Sequence, residues 1–437
     1  MKVLKFGGTS VGTAQRMKEV AKFVCDGNQK IIVFSAMSGT TNTLVEISDF
    51  LYKKNHVNAN ELINSLFEKY KGVIEELYGT QEYKNKANEH ILSCLNDIRA
   101  LIKEPFTSFE ERIILAQGEI MSTGMLNLYF HETGFNTVVL NALEYVRTNR
   151  NADPDTDYIK EKLHNLLERY ADADFYITQG YICLNVDGEI DNLQRGGSDY
   201  TASIIGAAIK AEEIQIWTDI DGMHNNDPRI VENTSPVRYL HFEEAAELAY
   251  FGAKILHPTC IQPAKADNIP VKLLNTMQPD APGTTISNVL EKNKIKAVAA
   301  KDNIIAIKIK SGRMLLATGF LRKVFEIFEQ YRTPVDMITT SEVGVSLTID
   351  NPKHLVEIVS DLKKYGAVTV DKDMVIICVV GDLEWDNIGF QSEIINALKD
   401  IPIRMISYGG SNFNVSLLIK SSDKKHALQS LSKFLFN

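Results

Sequence analysis

The sequence predicts an α/β protein in two parts: a mainly parallel sheet covered by helices over residues 1–290, then two small βαββαβ units of the ferredoxin-like kind. Three observations carry this prediction. Short β-rich runs alternate with long helical patterns through the first part. The stretch 277–294 is rich in Pro, Gly and polar residues and reads as the exit from that part. The chain beyond it is an internal repeat: Gly319-Phe320 returns as Gly389-Phe390, and Val345-Ser-Leu-Thr-Ile349 returns as Val415-Ser-Leu-Leu-Ile419, both 70 residues later.

In chain order, strands are predicted at 3–6, 30–35, 137–141, 175–179, 214–218 and 271–274, each a short β-rich run. Apolar residues near a 3.6 period assign 45–101 and 109–133 to helix. In the first repeat, strands at 304–309, 335–339, 345–349 and 368–371 with helices at 320–331 and 355–364 complete one βαββαβ unit. The second repeat, 375–436, stops one strand short, while a spare strand, 297–300, precedes the first. The spare strand is expected to complete the second unit. Unit 304–371 is then inserted within a unit made of 294–303 and 372–437. Open sheets expose edge strands, and pairing between copies through these modules is expected to cover them.

Composition narrows the function. The 437 residues carry 47 Lys+Arg against 56 Asp+Glu, a formal charge of −9, with 44% apolar and 24% charged residues, as in an ordinary globular protein. The acidic balance argues against nucleic-acid binding, which needs basic stripes to neutralise phosphates. Apolar runs fall far short of the about 18 residues of a membrane span, so no membrane partner is expected. Lys5 and two glycines break the N-terminal apolar stretch, unlike a signal peptide, and a cytoplasmic location is expected. Cys25, Cys94, Cys183, Cys260 and Cys378 are scattered, without Cys-x-x-Cys, and are expected as buried small hydrophobes rather than a disulfide framework or zinc site.

Three glycine-and-hydroxyl loops stand at strand-to-helix junctions: Lys5-Phe-Gly7-Gly8-Thr-Ser-Val11, Ser35-Ala-Met-Ser-Gly-Thr-Thr41-Asn42 and Arg195-Gly-Gly-Ser198-Asp199. Such loops aim backbone N–H groups and a helix N-terminus at an anion. One alone is as readily a structural turn; three suggest a polyanionic ligand along the carboxyl edge of one sheet. Neither a Walker A sequence, nor a dinucleotide Gly-x-Gly-x-x-Gly, nor the protein-kinase signatures occur. The Asp-rich segment from Thr218-Asp219 through His224 to Asp227-Pro-Arg229 would, standing alone, be a solvated turn. Lys254, in Phe251-Gly-Ala-Lys-Ile-Leu-His-Pro258, would be a helix-end cation. Glu119 lies in a run apolar enough to bury it, and a buried carboxylate needs a partner.

Together, and in this order, Lys5 to Val11, Gly118-Glu119, Arg195 to Asp199, Thr218-Asp219 with Asp227 to Arg229, and Phe251 to Pro258 resemble the aspartate kinase (aspartokinase) family. The repeated C-terminal units resemble its paired ACT domains. The resemblance implies an amino-acid-kinase fold, an αβα sandwich, that transfers the γ-phosphoryl of MgATP to the side-chain carboxylate of L-aspartate. By family analogy Lys5, Lys254 and Asp199 are catalytic, the lysines neutralising the phosphoryl and Asp199 organising them. Gly7, Gly8, Ser35, Thr218, Asp219, His224 and Arg229 join the lysines at ATP, and Thr41, Glu119, Arg195 and Ser198 hold aspartate. His224 stands where relatives commonly have tyrosine. No protein metal site is implied, since Mg2+ usually keeps phosphate and water ligands.

The ACT resemblance further implies an effector site of the lysine-inhibited kind. It comprises Met314, Phe320, Leu321, Val335, Asp336, Thr340, Ser341 and Glu342, with Asp336 on the ligand ammonium and the chain a homodimer or dimer of dimers. Threonine, alone or with lysine, is the alternative effector. Other amino-acid kinases, for glutamate or acetylglutamate, lack the doubled module. A catalytically silent sensor is disfavoured by the retention of Lys5, Lys254 and Asp199.

Overall fold

The computed structural model describes residues 1–102, 105–193, 196–252, 257–312 and 318–436. They fall into two compact units, Met1–Met223 with Ile255–Asn288, and His224–Lys254 with Val289–Asn437.

In the first unit, parallel strands run in the order Thr137–Leu140, Phe175–Gln179, Lys30–Phe34, Lys2–Phe6, Ile214–Thr218, Val271–Asn275. Thr284–Ser287 adds to the last of them antiparallel. Lys30–Phe34 and Phe175–Gln179 are buried at every residue. Strands covered on both faces need continuous apolar runs rather than alternation, which makes them readable in the sequence. All six predicted strands form within a residue of their expected limits. The chain leaves Lys2–Phe6 for one side of the sheet and returns on the other with Ile214–Thr218. The Lys2–Phe6 strand is therefore the topological switch point, where such sheets open a crevice beyond their carboxyl ends. Stacked rings lock that edge: Phe6 lies 5.6 Å from Phe34 and 5.8 Å from Trp217, centroid to centroid.

The expected helix 45–101 is three helices, Thr40–Tyr52, His56–Leu77 and Gln81–Ala100. Local polar chemistry ends the first helix although the apolar period runs on: Lys54 takes φ +57°, and the Asn55 side chain accepts the Asn58 N–H at 3.2 Å. The expected helix 109–133 is Ser108–Glu132, opened by a capping box of Thr107 and Glu110. Elements absent from the sequence prediction include the Thr284–Ser287 strand, inside the expected exit loop, a hairpin of Ile182–Leu184 with Ile190–Asn192, and the helix Thr156–Arg169.

The second unit holds an antiparallel six-stranded sheet in the order Ile338–Ser341, Gly344–Ile349, Ile295–Lys310, Ala367–Gly381, Asn414–Lys420, Met405–Ser407. The predicted strands 297–300 and 304–309 are one continuous strand, interrupted in register between Lys301 and Ile304. Its first half faces the second repeat, Val298 opposite Val379, and its second half faces the first, Ile307 opposite Val370. Each repeat has its own core: Ile305, Ile307, Phe320, Val324 and Leu347 in one, Val298, Val375, Ile377, Phe390 and Leu428 in the other. Residues 224–254, which the sequence places within 1–290, group with this unit. Asn225 accepts the Val298 N–H at 2.8 Å, Asn226 donates to the Leu428 carbonyl at 3.0 Å, and Val231 joins the second core. No described helix is long and apolar enough to cross a membrane. The five cysteines are free, Cys25 half-buried and the others buried.

Candidate active site

Lysine on a central strand is costly unless its charge is met. Lys5 is 9% exposed, and its Nζ lies 2.6 Å from Asp199 Oδ1. Asp199 sits in the first turn of the Gly197–Ile209 helix, whose N-cap Gly196 takes φ +75°. A Cβ there would lie 2.4 Å from Cys260 Sγ, so glycine is required twice over, for its backbone and for the close approach.

The second carboxylate comes from the Ser108–Glu132 helix. Gly118 lets that helix press on the loop after Lys30–Phe34; a Cβ at 118 would lie 2.9 Å from the Cβ of Ala36. The approach puts Glu119 Oε1 3.1 Å from the Ala36 N–H, which donates to it, while Oε2 is buried with no hydrogen-bond partner among the described residues. Glu119 is 4% exposed. Burial pushes its carboxyl up to about 8, against the pull of the Ala36 N–H and the Lys5 charge. An orphaned acidic oxygen at the wall of a cleft is a site waiting for a cation or donor.

That cleft, about 670 Å³, is lined by Lys5, Ser35, Thr41, Glu119, Ser198 and Asp199. Six residues nominated from four separate stretches thus face one space. Gly7 and Gly8 follow Phe6 at its edge, a Cβ on Gly7 lying 3.4 Å from Lys5 Nζ. Thr218 and Asp219 leave the neighbouring strand at the same sheet edge but do not line the cleft. Arg195 and Lys254 lie outside the described residues. His224 and Arg229 belong to the second unit. There His224 Nδ1 pairs with Thr234 Oγ1 at 2.8 Å, and exposed Arg229 donates to both oxygens of Asp227 at 2.9 and 2.7 Å, drawing that carboxyl below its usual range.

Comparisons with known proteins bear on the whole chain. Residues 1–275 match the amino acid kinase family model, and 377–435 match an ACT domain model. The chain is 33% identical to "Aspartokinase 1, chloroplastic" of Arabidopsis thaliana, over 99% of this chain and 80% of that one. The chain belongs to the aspartokinase family. Among solved aspartokinases it superposes on E. coli aspartokinase III in complex with aspartate and ADP (R-state), at TM-score 0.87, 31% identity and full coverage of both chains. The same E. coli enzyme in complex with lysine and aspartate (T-state) gives TM-score 0.82 at 32% identity, again over both full chains.

The aspartokinase cleft has further walls that the sequence does not nominate: Arg112, Tyr181, Asp191 and Asn192 among them. Arg112 Nη1 lies 3.4 Å from Asp191 Oδ1. Tyr181 holds φ +69°, its N–H donating to Thr201 Oγ1 at 3.0 Å, and burial pushes its hydroxyl up to about 12. Asp191 and Asn192 ride on the unpredicted hairpin. A signal for it exists, since Asp187-Gly188 between β-rich runs is a strong hairpin turn.

In the ACT region Met314 lies outside the described residues. Phe320 is core, Leu321 is partly exposed, and Thr340 and Ser341 lie on the Ile338–Ser341 strand with Glu342 in the exposed turn after it. Val335 and Asp336 precede the strand predicted to contain them, although the Asp336 N–H still donates to the Thr348 carbonyl at 2.9 Å.

Proposed function

We propose that the chain transfers the γ-phosphoryl of MgATP to the side-chain carboxylate of L-aspartate, giving 4-phospho-L-aspartate. We read this as the first step of lysine, threonine and methionine biosynthesis, run in the cytoplasm and inhibited by L-lysine at the ACT modules. One observation carries it: the Lys5–Asp199 pair and the orphaned carboxyl of Glu119 line a single cleft at the switch point of the sheet. The E. coli relative's complex with aspartate and ADP supports the substrates, and its complex with lysine supports the effector.

The chemistry suits the residues. An acceptor carboxylate is ionised at neutral pH, so no general base is needed and catalysis reduces to positioning and charge stabilisation. Lys5, released in part from Asp199, meets the transferring phosphoryl together with Lys254, and N–H groups from Gly7, Gly8 and the loop of Ser35 hold the phosphates. Thr218, Asp219, His224 and Arg229 serve the nucleotide. Glu119 receives the substrate ammonium, giving up its proton as the cation arrives, while Arg195 takes the α-carboxylate through its planar fork and Thr41 and Ser198 add hydroxyls. Among the described residues no three acidic, His or Cys side chains gather around a metal position, and a nucleotide-borne Mg2+ with phosphate and water ligands fits that donor set. Bound there it neutralises phosphate charge.

The two ACT units comprise 304–371 and, around it, 294–303 with 372–437. Copies of the chain assemble through them as a dimer or dimer of dimers. Hydroxylamine trapping tests the reaction: ADP formation that depends on aspartate and yields aspartyl hydroxamate is expected, and ADP formation indifferent to aspartate would refute it.

A further inference from the structure

Asp336 is the carboxylate on which the lysine-effector reading turns, and in this structure it already holds an ammonium. Lys301 Nζ lies 2.6 Å from Asp336 Oδ1 and 3.0 Å from Asp350 Oδ2. The Tyr250 hydroxyl, at the end of the Phe242–Tyr250 helix, donates to the same Oδ1 at 2.9 Å. Lys301 also stands over the Tyr250 ring, 4.4 Å from its centroid. The Asp336 side chain is only 2% exposed, so no ligand reaches it while these two side chains stay in place. Yet Oδ2 is buried without a hydrogen-bond partner among the described residues, so the closed arrangement leaves one acceptor unmet.

We propose that Lys301 is an internal competitor for the effector: its ammonium occupies the place of the ligand's at Asp336 and must withdraw to Asp350 before an amino-acid effector binds. The inference rests on the reading of Asp336 as the effector carboxylate. Its physical content is an exchange of one ammonium for another on a buried acid. Asp350 is 38% exposed and already within reach, so the displaced charge is never left unpaired. The competitor sits at the register shift in its strand, where Lys301 and Ile304 bracket an irregular pair of residues. Tyr250 shares the acceptor oxygen, so the exchange also alters what the Phe242–Tyr250 helix is fastened to.

Competition makes opposite predictions for the two partners of the exchange, Lys301 and Asp350, which a merely structural role does not. Full-length protein is assayed for inhibition by L-lysine and for direct L-lysine binding by calorimetry. Lys301→Met removes the competitor and should lower the half-inhibitory lysine concentration about tenfold, the value of one charge-assisted hydrogen bond. Asp350→Asn removes the resting place of the withdrawn ammonium and should raise that concentration several-fold. Lys301→Arg keeps a cation on Asp336 and should stay near the wild-type value. Lysine binding that weakens or stays constant in Lys301→Met, or tightens in Asp350→Asn, would overturn the proposal. Asp336→Asn separates the two levels. If it binds lysine as wild type does, the effector reading falls and the competitor with it; if it loses lysine while Lys301→Met gains nothing, only the competitor falls. Asp350→Asn alters a partly exposed side chain, so it decides the matter even where Lys301→Met fails to fold.

Discussion

Each unit of the molecule contains a lysine–aspartate pair with the same 2.6 Å separation, and the surroundings of the two pairs are opposite. Lys5 and Asp199 face an open cleft of about 670 Å³. Lys301 and Asp336 are closed over, with a second carboxylate and an aromatic face on the lysine. An ammonium held by two acids and a ring is closed to an anion and yields only to another cation. One held by a single acid beside a cleft remains available to an incoming anion, and that difference in company sets the pair proposed to meet the phosphoryl apart from the enclosed one.

The largest effect expected from breaking the comparison is at Lys5. Lys5→Ala should lower turnover by about three orders of magnitude or more, as for loss of another phosphoryl-stabilising cation. Steady-state kinetics with near-normal kcat would remove Lys5 from the reaction. Next comes the acid that has no lysine of its own. Glu119→Gln should raise the KM for aspartate about 10- to 100-fold through loss of a charge-assisted contact.

The same variant carries a stability signature. Folded, Glu119 titrates near 8, against an ordinary value of 4.5. Between those pH values the native state keeps a proton that the unfolded chain releases, so stability is lost as pH rises from 4.5 through 8. Glu119→Gln should therefore melt at or above the wild-type Tm at pH 8, and a clear drop would contradict the burial cost assigned to this carboxyl. The linkage also sharpens substrate binding. With the substrate ammonium proposed to land on Glu119, aspartate capture should expel its proton: the KM for aspartate should fall several-fold from pH 6.5 to pH 8, with proton release in calorimetry, and a flat KM would place the ammonium elsewhere.

The smallest effect is at the helix that carries Glu119. Thr107→Ala removes the capping box and should cost about 1 kcal/mol, lowering Tm by about 2–4 °C with little change in kcat at 25 °C.

The parts of the molecule differ in how legible they are from sequence, each for a physical reason. The central strands announce themselves because burial on both faces demands unbroken runs such as Lys-Ile-Ile-Val-Phe at 30–34. Lys5, Glu119, Ser198 and Asp199 stand out because glycine-and-hydroxyl loops and a carboxylate in an apolar run are local anomalies. The walls at Arg112 and Tyr181 are invisible, for they are ordinary residues brought together only by tertiary packing. The helix breaks near Lys54 and Gly79 are lost because an apolar period continues through them, while the Asn55 cap makes the first break and Glu132, accepting from the Gly79 and Thr80 N–H groups, holds the second. Asp336 is legible as an acid within the repeat, between Pro334 and the strand Ile338–Ser341. Its partner is not, since Lys301 lies 35 residues away on a strand whose pattern says nothing about charge.

The account rests on Lys5 and Glu119 serving one reacting pair. A crystal structure of the chain with L-aspartate and a non-hydrolysable ATP analogue tests this most directly. The account predicts a terminal phosphate oxygen within hydrogen-bond reach of Lys5 Nζ and the aspartate ammonium within reach of Glu119. Aspartate bound away from Glu119, or Lys5 still on Asp199 with no phosphate in reach, would contradict it.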